Sequence, residues 1–299
     1  MIGSRPRDYA ILAIGVFACS LSVIFLKDSH THPIWLSGIR TLIAAMFLTP
    51  LVLIELRKNP NAISFRDILR SLPGGAFLAV HFITWTIGAR ETSAANGSVI
   101  VNLATVAMPI IMWGMNGERI NRGEILGSAV AMSGVLIMVY GNISLGGNVR
   151  GDVICFISMI LYCLYLAFAR RNGMGRNIWL YVVPLYYFCG VICITTALII
   201  PGIPLPPINQ HEIAMLVCLG LIPTVLGHSI MNWCIKSMRG QVVSTANLCQ
   251  FVFAGVIAYF RFGEVPGWLF YPMCALIILG SAIVIRAHRA KTVDVDAES

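Results

Sequence analysis

Apolar stretches of about 20 residues, the length that crosses the hydrocarbon core of a bilayer, recur along the chain between short polar breaks. They predict ten helices, over 9–26, 34–56, 71–89, 94–116, 123–141, 152–169, 178–200, 213–236, 241–260 and 267–286. Charged, glycine-bearing or proline-bearing breaks separate most of them: Lys27 to Pro33, Arg57 to Asn61, Gly141 to Gly151, Arg170 to Arg176 and Pro201 to Pro207. The 56–70 connection mixes charges with Phe65, Ile68 and Leu69, which predicts an interfacial turn of helix. The first run lacks a small-residue cleavage site and is followed by Lys27 and Asp28, so it reads as a retained helix rather than a signal peptide.

Composition then excludes soluble folds. Of 299 residues 58% are hydrophobic and only 11% charged, against about 25% charged in an ordinary globular protein. Ten spans use about 200 residues, which leaves short loops and no room for a soluble domain. The expected fold class is therefore an all-α integral membrane protein with ten transmembrane helices.

A net charge of +8 would point to nucleic acid in a soluble protein. Here the cations follow the bias of Lys and Arg towards cytoplasmic loops. With the N-terminus inside, 16 fall on that side: Arg5 and Arg7; Arg57, Lys58, Arg66 and Arg70; Arg119 and Arg122; Arg170, Arg171 and Arg176; Lys236 and Arg239; Arg286, Arg289 and Lys291. Only 4 fall outside, Lys27, Arg90, Arg150 and Arg261, and Arg40 lies within the second helix. Both termini are expected in the cytoplasm and the protein in the inner, or plasma, membrane. The expected partners are the lipid bilayer and a small-molecule substrate, with no nucleic acid. All 9 cysteines sit in apolar runs and read as small packing residues, and no cofactor or metal is expected.

The halves echo each other. Ile34-Trp35-Leu36 recurs as Ile178-Trp179-Leu180, and Lys27 matches Arg171. Trp85 matches Trp233, Asn102 matches Gln250, Gly117-Glu118 matches Gly263-Glu264, and Gly134 matches Gly280. Residues 1–146 then form one five-helix unit and 147–299 a second. An odd number of helices inverts the second unit in the membrane, an arrangement that suits a midplane site and alternating access.

Polar side chains inside spans are costly and usually face a cavity or the bundle interior. His81 and Trp85 lie one turn apart on the third helix. Thr224, His228 and Asn232 form a stripe on the eighth beside Trp233, and Ser98, Asn102, Thr105 and Pro109 line the fourth. The ninth carries Ser244, Asn247 and Gln250, and the sixth Ser158, Tyr162 and Tyr165. The candidate substrate-binding residues are His81, Trp85, Asn102, Tyr162, His228, Trp233 and Gln250, as walls of a mixed polar and aromatic cavity. The same groups could serve as glue between helices. Trp35, Trp113, Trp179 and Trp268 lie near span ends and read as interfacial anchors. Gly97, Pro109, Pro223 and Gly240 are hinge candidates. Arg40 is read as structural, needing a partner or water, and Glu118 as a loop-end ion pair or cap.

These residues also resemble a known family. Arg40 early in the second helix, Pro109 in the fourth, and Gly117-Glu118-Arg119 before a helix with Gly127 and Gly134-Val135 are similar to the drug/metabolite transporter superfamily and its ten-helix EamA-type branch. The second half repeats Gly263-Glu264 and Gly280 but carries Met273 and Ile257 where Gly127 and Pro109 would map. The resemblance implies an inner-membrane exporter of small metabolites, nearest to bacterial exporters of amino acids, aromatic ones included. The alternatives are export of other neutral or cationic metabolites or drugs, and, from different classes, a channel or an intramembrane enzyme. No G-x-S-x-G, no H-E-x-x-H and no acidic residue near a span centre supports the enzyme. With only His81 and His228 able to carry a proton in the spans, the expected energetics are those of a facilitator.

Overall fold

A computed structural model describes residues 6–91, 100–101, 103–142, 149–173, 177–262 and 268–297. They form ten helical segments. Segment 1 joins Pro6–Ser20 to Ser22–Asp28, segment 2 is Pro33–Lys58, segment 3 Phe65–Glu91 and segment 4 Ala104–Asn116. Segment 5 is Arg122–Asn142, segment 6 Val149–Gly173 and segment 7 Trp179–Ile199. Segment 8 is composite: an α-helix Gln210–Leu219, a π-helix Gly220–His228 and an α-helix Ser229–Ser237. Segment 9 is broken into Gly240–Asn247 and Gln250–Phe262, and segment 10 is Phe270–Ala297.

Local sequence explains the ends. Pro33 opens segment 2, where its missing N–H costs nothing, and the His32 ring accepts from the Ile34 N–H. Asn209 caps segment 8, its side chain accepting from the Glu212 N–H at 2.9 Å. Segment 4 stops at Gly117, whose φ of 70° is the left-handed conformation a glycine adopts without strain. The expected interfacial turn near Phe65 is instead the first turn of segment 3.

Among the described residues seven helical stretches are long and apolar enough to cross a membrane: segments 1, 2, 3, 6, 7, 8 and 10. Segments 4, 5 and 9 fall outside that set. The described part of segment 4 is 13 residues, and segment 9 is split into pieces of 8 and 13. The ten expected spans therefore appear as ten helical segments, of which seven meet the length and hydropathy of a span. Met46, Phe47, Ile110, Leu198 and Ile199 point outward, as side chains facing acyl chains would.

The principal packing pairs are segments 3 and 6, 3 and 7, 2 and 7, 5 and 10, 1 and 8, 2 and 8, 4 and 6, 1 and 9, and 4 and 9. Segments 5 and 10 meet backbone to backbone. A Cβ on Gly127 would come within 2.7 Å of the Gly280 carbonyl, and one on Gly134 within 2.8 Å of the Met273 carbonyl. Small residues let membrane helices approach this closely.

Two of the expected anchors differ from each other. Trp268 is exposed, as an interfacial ring should be, whereas Trp35 is buried against Ile34 and Ala197.

Candidate functional site

Segments 1, 3, 6, 8 and 9 line a half-open cavity with an empty volume of about 520 Å³, the open space at its mouth included. His81, Phe82 and Trp85 supply the segment 3 wall and Tyr162 the segment 6 wall. Cys19 and Ser22 come from segment 1, His228 from segment 8, and Gln250 with Asn247 from segment 9; Val101 closes the remaining side.

The aromatic rings pack as one cluster. His81 lies 5.2 Å from Tyr162 and 6.4 Å from His228, centroid to centroid, and the Phe82 ring meets His228 edge-on at 4.8 Å. His81 is pinned: Nδ1 sits 2.9 Å from both the Ser158 hydroxyl and the Ser158 carbonyl, and that hydroxyl is 3.0 Å from the His81 carbonyl. His228 lacks such a pin, because its buried Nδ1 has no hydrogen-bond partner among the described residues. Across the cavity Gln250 donates to Asn247 Oδ1. Such a chamber offers amide donors and acceptors beside flat apolar faces, and indole or phenol over an ammonium adds a cation–π contact.

Five of the seven expected site residues therefore border one chamber: His81, Trp85, Tyr162, His228 and Gln250. Asn102 lies outside the described residues, as does the hinge candidate Gly97. Trp233 is not at the cavity and packs against the main hydrophobic core. The reason is geometric. Trp85 follows His81 by four residues and shares its face, whereas Trp233 follows His228 by five and is turned about 100° further around the helix. Asn232 takes the position one turn on, donating to the His228 carbonyl at 2.8 Å and to the Tyr165 hydroxyl.

The hinge candidates have distinct settings. Pro109 lies inside segment 4 and Pro223 inside the π-helix. Gly240 opens segment 9 against Met112, which a Cβ would approach to 2.7 Å, so close packing accounts for that glycine. Sequence reading missed Cys19, Ser22 and Phe82, which carry little or no polar signal.

The two ends of the bundle are tied differently. At one end, buried ion pairs tie segment 6 to the 4–5 connection and the 8–9 connection to segment 5: Arg170 to Glu118 at 2.7 Å and Arg239 to Glu124 at 2.7 Å. Glu118 also accepts from the Gly240 N–H at 3.2 Å, and Arg170 donates to the Ile235 and Lys236 carbonyls. At the other end Glu212 accepts from the Ser29 hydroxyl at 2.7 Å, the His30 N–H at 2.7 Å and the Thr31 hydroxyl at 2.8 Å. Arg90 donates to the Ser29 and Thr31 carbonyls there. Burial, with Arg90 nearby, holds the His32 ring below its ordinary pKa. Among the described residues no three His, Cys, Asp or Glu side chains gather as a metal site.

Comparison with known proteins converges on transport. A probable terminal-alkyne amino-acid exporter of Streptantibioticus cattleyicolor is 25% identical over 77% of this chain and 76% of its own length. The uncharacterized transporter YdfC of Bacillus subtilis is 24% identical over 85% of this chain and 82% of its own. A crystal structure described only as that of a protein shares the fold, with a TM-score of 0.77 over 96% of this chain and 99% of that one at 14% identity. The family model for EamA-like transporters matches residues 8–140 and again 149–286. The chain thus belongs to the EamA-like transporter family, a multi-pass membrane transporter and not an enzyme.

Proposed function

We propose that the protein exports amino acids with apolar or aromatic side chains across the inner membrane, by alternating access through the cavity between two inverted five-helix repeats. The observation that carries this reading is the chamber itself, with walls drawn from both halves: Trp85 and His81 from the first, Tyr162, His228 and Gln250 from the second. Aromatic faces suit an apolar side chain, and the Asn247 and Gln250 amides suit its polar end. Similarity to an amino-acid exporter supports the same substrate class.

Three observations support the repeat, with units at 1–146 and 147–299. One family model matches the chain twice. Exchanging each segment with the one five places on maps the 3–6 contact onto 8–1, 3–7 onto 8–2 and 4–6 onto 9–1, and leaves 2–7, 4–9 and 5–10 unchanged. The same exchange carries the close approach of Gly127 to Gly280 onto that of Met273 to Gly134.

On the charge count, the end laced by Arg170, Glu118, Arg239 and Glu124 faces the cytoplasm. Ser22 and Trp85 lie in the halves of their segments away from it. In this conformation the ion pairs then close the inner side beneath the chamber, and inward opening requires them to part. Among the described residues no acidic side chain borders the chamber, which favours a facilitator running its solute down a gradient.

Proteoliposomes should show counterflow of phenylalanine or leucine with no imposed proton or sodium gradient. Accumulation against a solute gradient, driven by a pH difference and abolished by His81→Ala, would overturn the facilitator. Absence of counterflow for every member of an amino-acid panel would overturn the substrate class.

A further inference from the structure

Arg40 is a buried cation near the chamber with no carboxylate beside it among the described residues. It is 1% exposed, in the first half of segment 2. An arginine stays protonated at any physiological pH, and a buried cation ordinarily has a carboxylate beside it. Among the described residues Arg40 has none. Its partners are neutral: Nε donates to the Thr224 hydroxyl at 2.9 Å, Nη1 reaches the Ser22 hydroxyl at 3.4 Å, and Cζ sits 4.3 Å above the Phe82 ring. Nη2 has no hydrogen-bond partner among the described residues.

The disposition of the donors is informative. Nε is occupied by Thr224, in the π-helix of segment 8. The edge formed by Nη1 and Nη2 carries one long contact and one vacancy, and two parallel N–H groups are what a carboxylate accepts in a paired geometry. Arg40 does not itself border the chamber, but Ser22, which Nη1 reaches, and Phe82, whose ring lies under the guanidinium face, both do, so Arg40 sits one side chain behind the wall. Segment 7 offers no counterpart: at the offset relating Trp35 to Trp179, Arg40 maps to Pro184. The positive charge therefore distinguishes one side of an otherwise twofold chamber.

We infer that Arg40 is a substrate-binding residue, holding the carboxylate of the transported solute through its Nη1–Nη2 edge beside Ser22. This rests on the reading of the chamber as the solute site and deepens it: the solute is a carboxylate. With that group at Ser22, the remainder lies against Trp85, Tyr162 and the two histidines. A lone guanidinium suits one carboxylate better than a phosphate ester, which calls for several cations.

The test is binding to the purified full-length protein of two matched pairs, phenylalanine with phenylalaninamide, and 3-phenylpropionate with 3-phenylpropanamide. Each acid should bind more tightly than its amide by on the order of tenfold to a hundredfold. Arg40→Gln, whose amide nitrogen falls near the position of Nε and can keep the Thr224 contact, should bring the ratio to about one. Arg40→Lys, for use where the neutral variant does not fold, keeps the charge but loses paired geometry, and the ratio should fall at least severalfold. A wild-type ratio near one, or a ratio unchanged in both variants, overturns the assignment. If only 3-phenylpropionate binds, and does so through Arg40, the amino-acid reading falls and the carboxylate anchor stands. If phenylalanine and its amide bind alike, the anchor falls and the amino-acid reading stands. Binding by no member of the panel overturns both.

Discussion

Segments 3 and 8 bring a histidine to the same cavity and differ in almost everything around it. Segment 3 is one α-helix of 27 residues, its His81 locked to Ser158 and its Trp85 in the chamber. Segment 8 passes through nine residues of π-helix, its His228 has an unpartnered Nδ1, and its Trp233 faces the core. His228 lies 147 residues after His81, whereas Trp233 lies 148 after Trp85. One added residue between histidine and tryptophan moves an aromatic ring from a binding wall into packing. The two segments thus present one histidine held by a hydrogen bond and one whose Nδ1 has no partner among the described residues, and π-turns often mark such departures. Both segments touch Arg40, segment 3 through the Phe82 ring and segment 8 through the Thr224 hydroxyl.

The sharpest way to separate the two segments is through their threonines. Thr224 accepts from Arg40 Nε and donates to the Leu219 carbonyl at 2.7 Å, whereas Thr86 donates only to the Phe82 carbonyl in its own helix. Thr224→Val should destabilise the protein by about 2–3 kcal/mol, because it strips a bond from a buried charge, and Thr86→Val by less than about 1 kcal/mol. Thermal unfolding in detergent checks the order. Equal losses would remove the special status of segment 8.

Next comes the tryptophan pair. Trp85→Ala should weaken solute binding by about 1.5–2 kcal/mol, on the order of tenfold to thirtyfold, with little change in melting temperature. Trp233→Ala should lower the melting temperature and leave affinity within about twofold. Isothermal titration beside thermal unfolding reads both, and reversed effects would place Trp233 in the chamber.

The smallest effect expected is at the pin. Ser158→Ala removes the hydroxyl that holds His81 and should cost about 1 kcal/mol of stability. Binding should weaken only slightly, since Tyr162 and Phe82 still flank the ring. A loss of binding larger than that of Trp85→Ala would make His81 orientation the dominant contact.

Much of this was legible in the sequence, and the failures have physical causes. Apolar runs located the segments because lipid demands about 20 residues per crossing. The His81–Trp85 stripe was legible because four residues make about one turn. Cys19, Ser22 and Phe82 were not, since their cavity exposure follows from how segments 1 and 3 rotate against segment 8. The π-helix left only Pro223 as a signal, and proline inside a membrane helix has many outcomes. Trp233 was misplaced because matching residue types between halves cannot register an inserted residue between them. Arg40 was read as needing a partner or water, and only the assembled bundle shows that its partners among the described residues, Thr224, Ser22 and Phe82, are neutral.

The claim that both halves form one chamber with alternating exposure is tested most directly by thiol labelling. Val101→Cys in a background lacking the 9 native cysteines places a reporter on the wall. It should react with a membrane-impermeant reagent from outside the cell, and saturating solute should protect it. Neutralising the inner ion pairs with Glu118→Gln and Glu124→Gln should lower that reactivity and raise labelling from the cytoplasmic side in inverted vesicles. Reactivity from one side only, indifferent both to solute and to loss of those ion pairs, would contradict alternating access through this chamber.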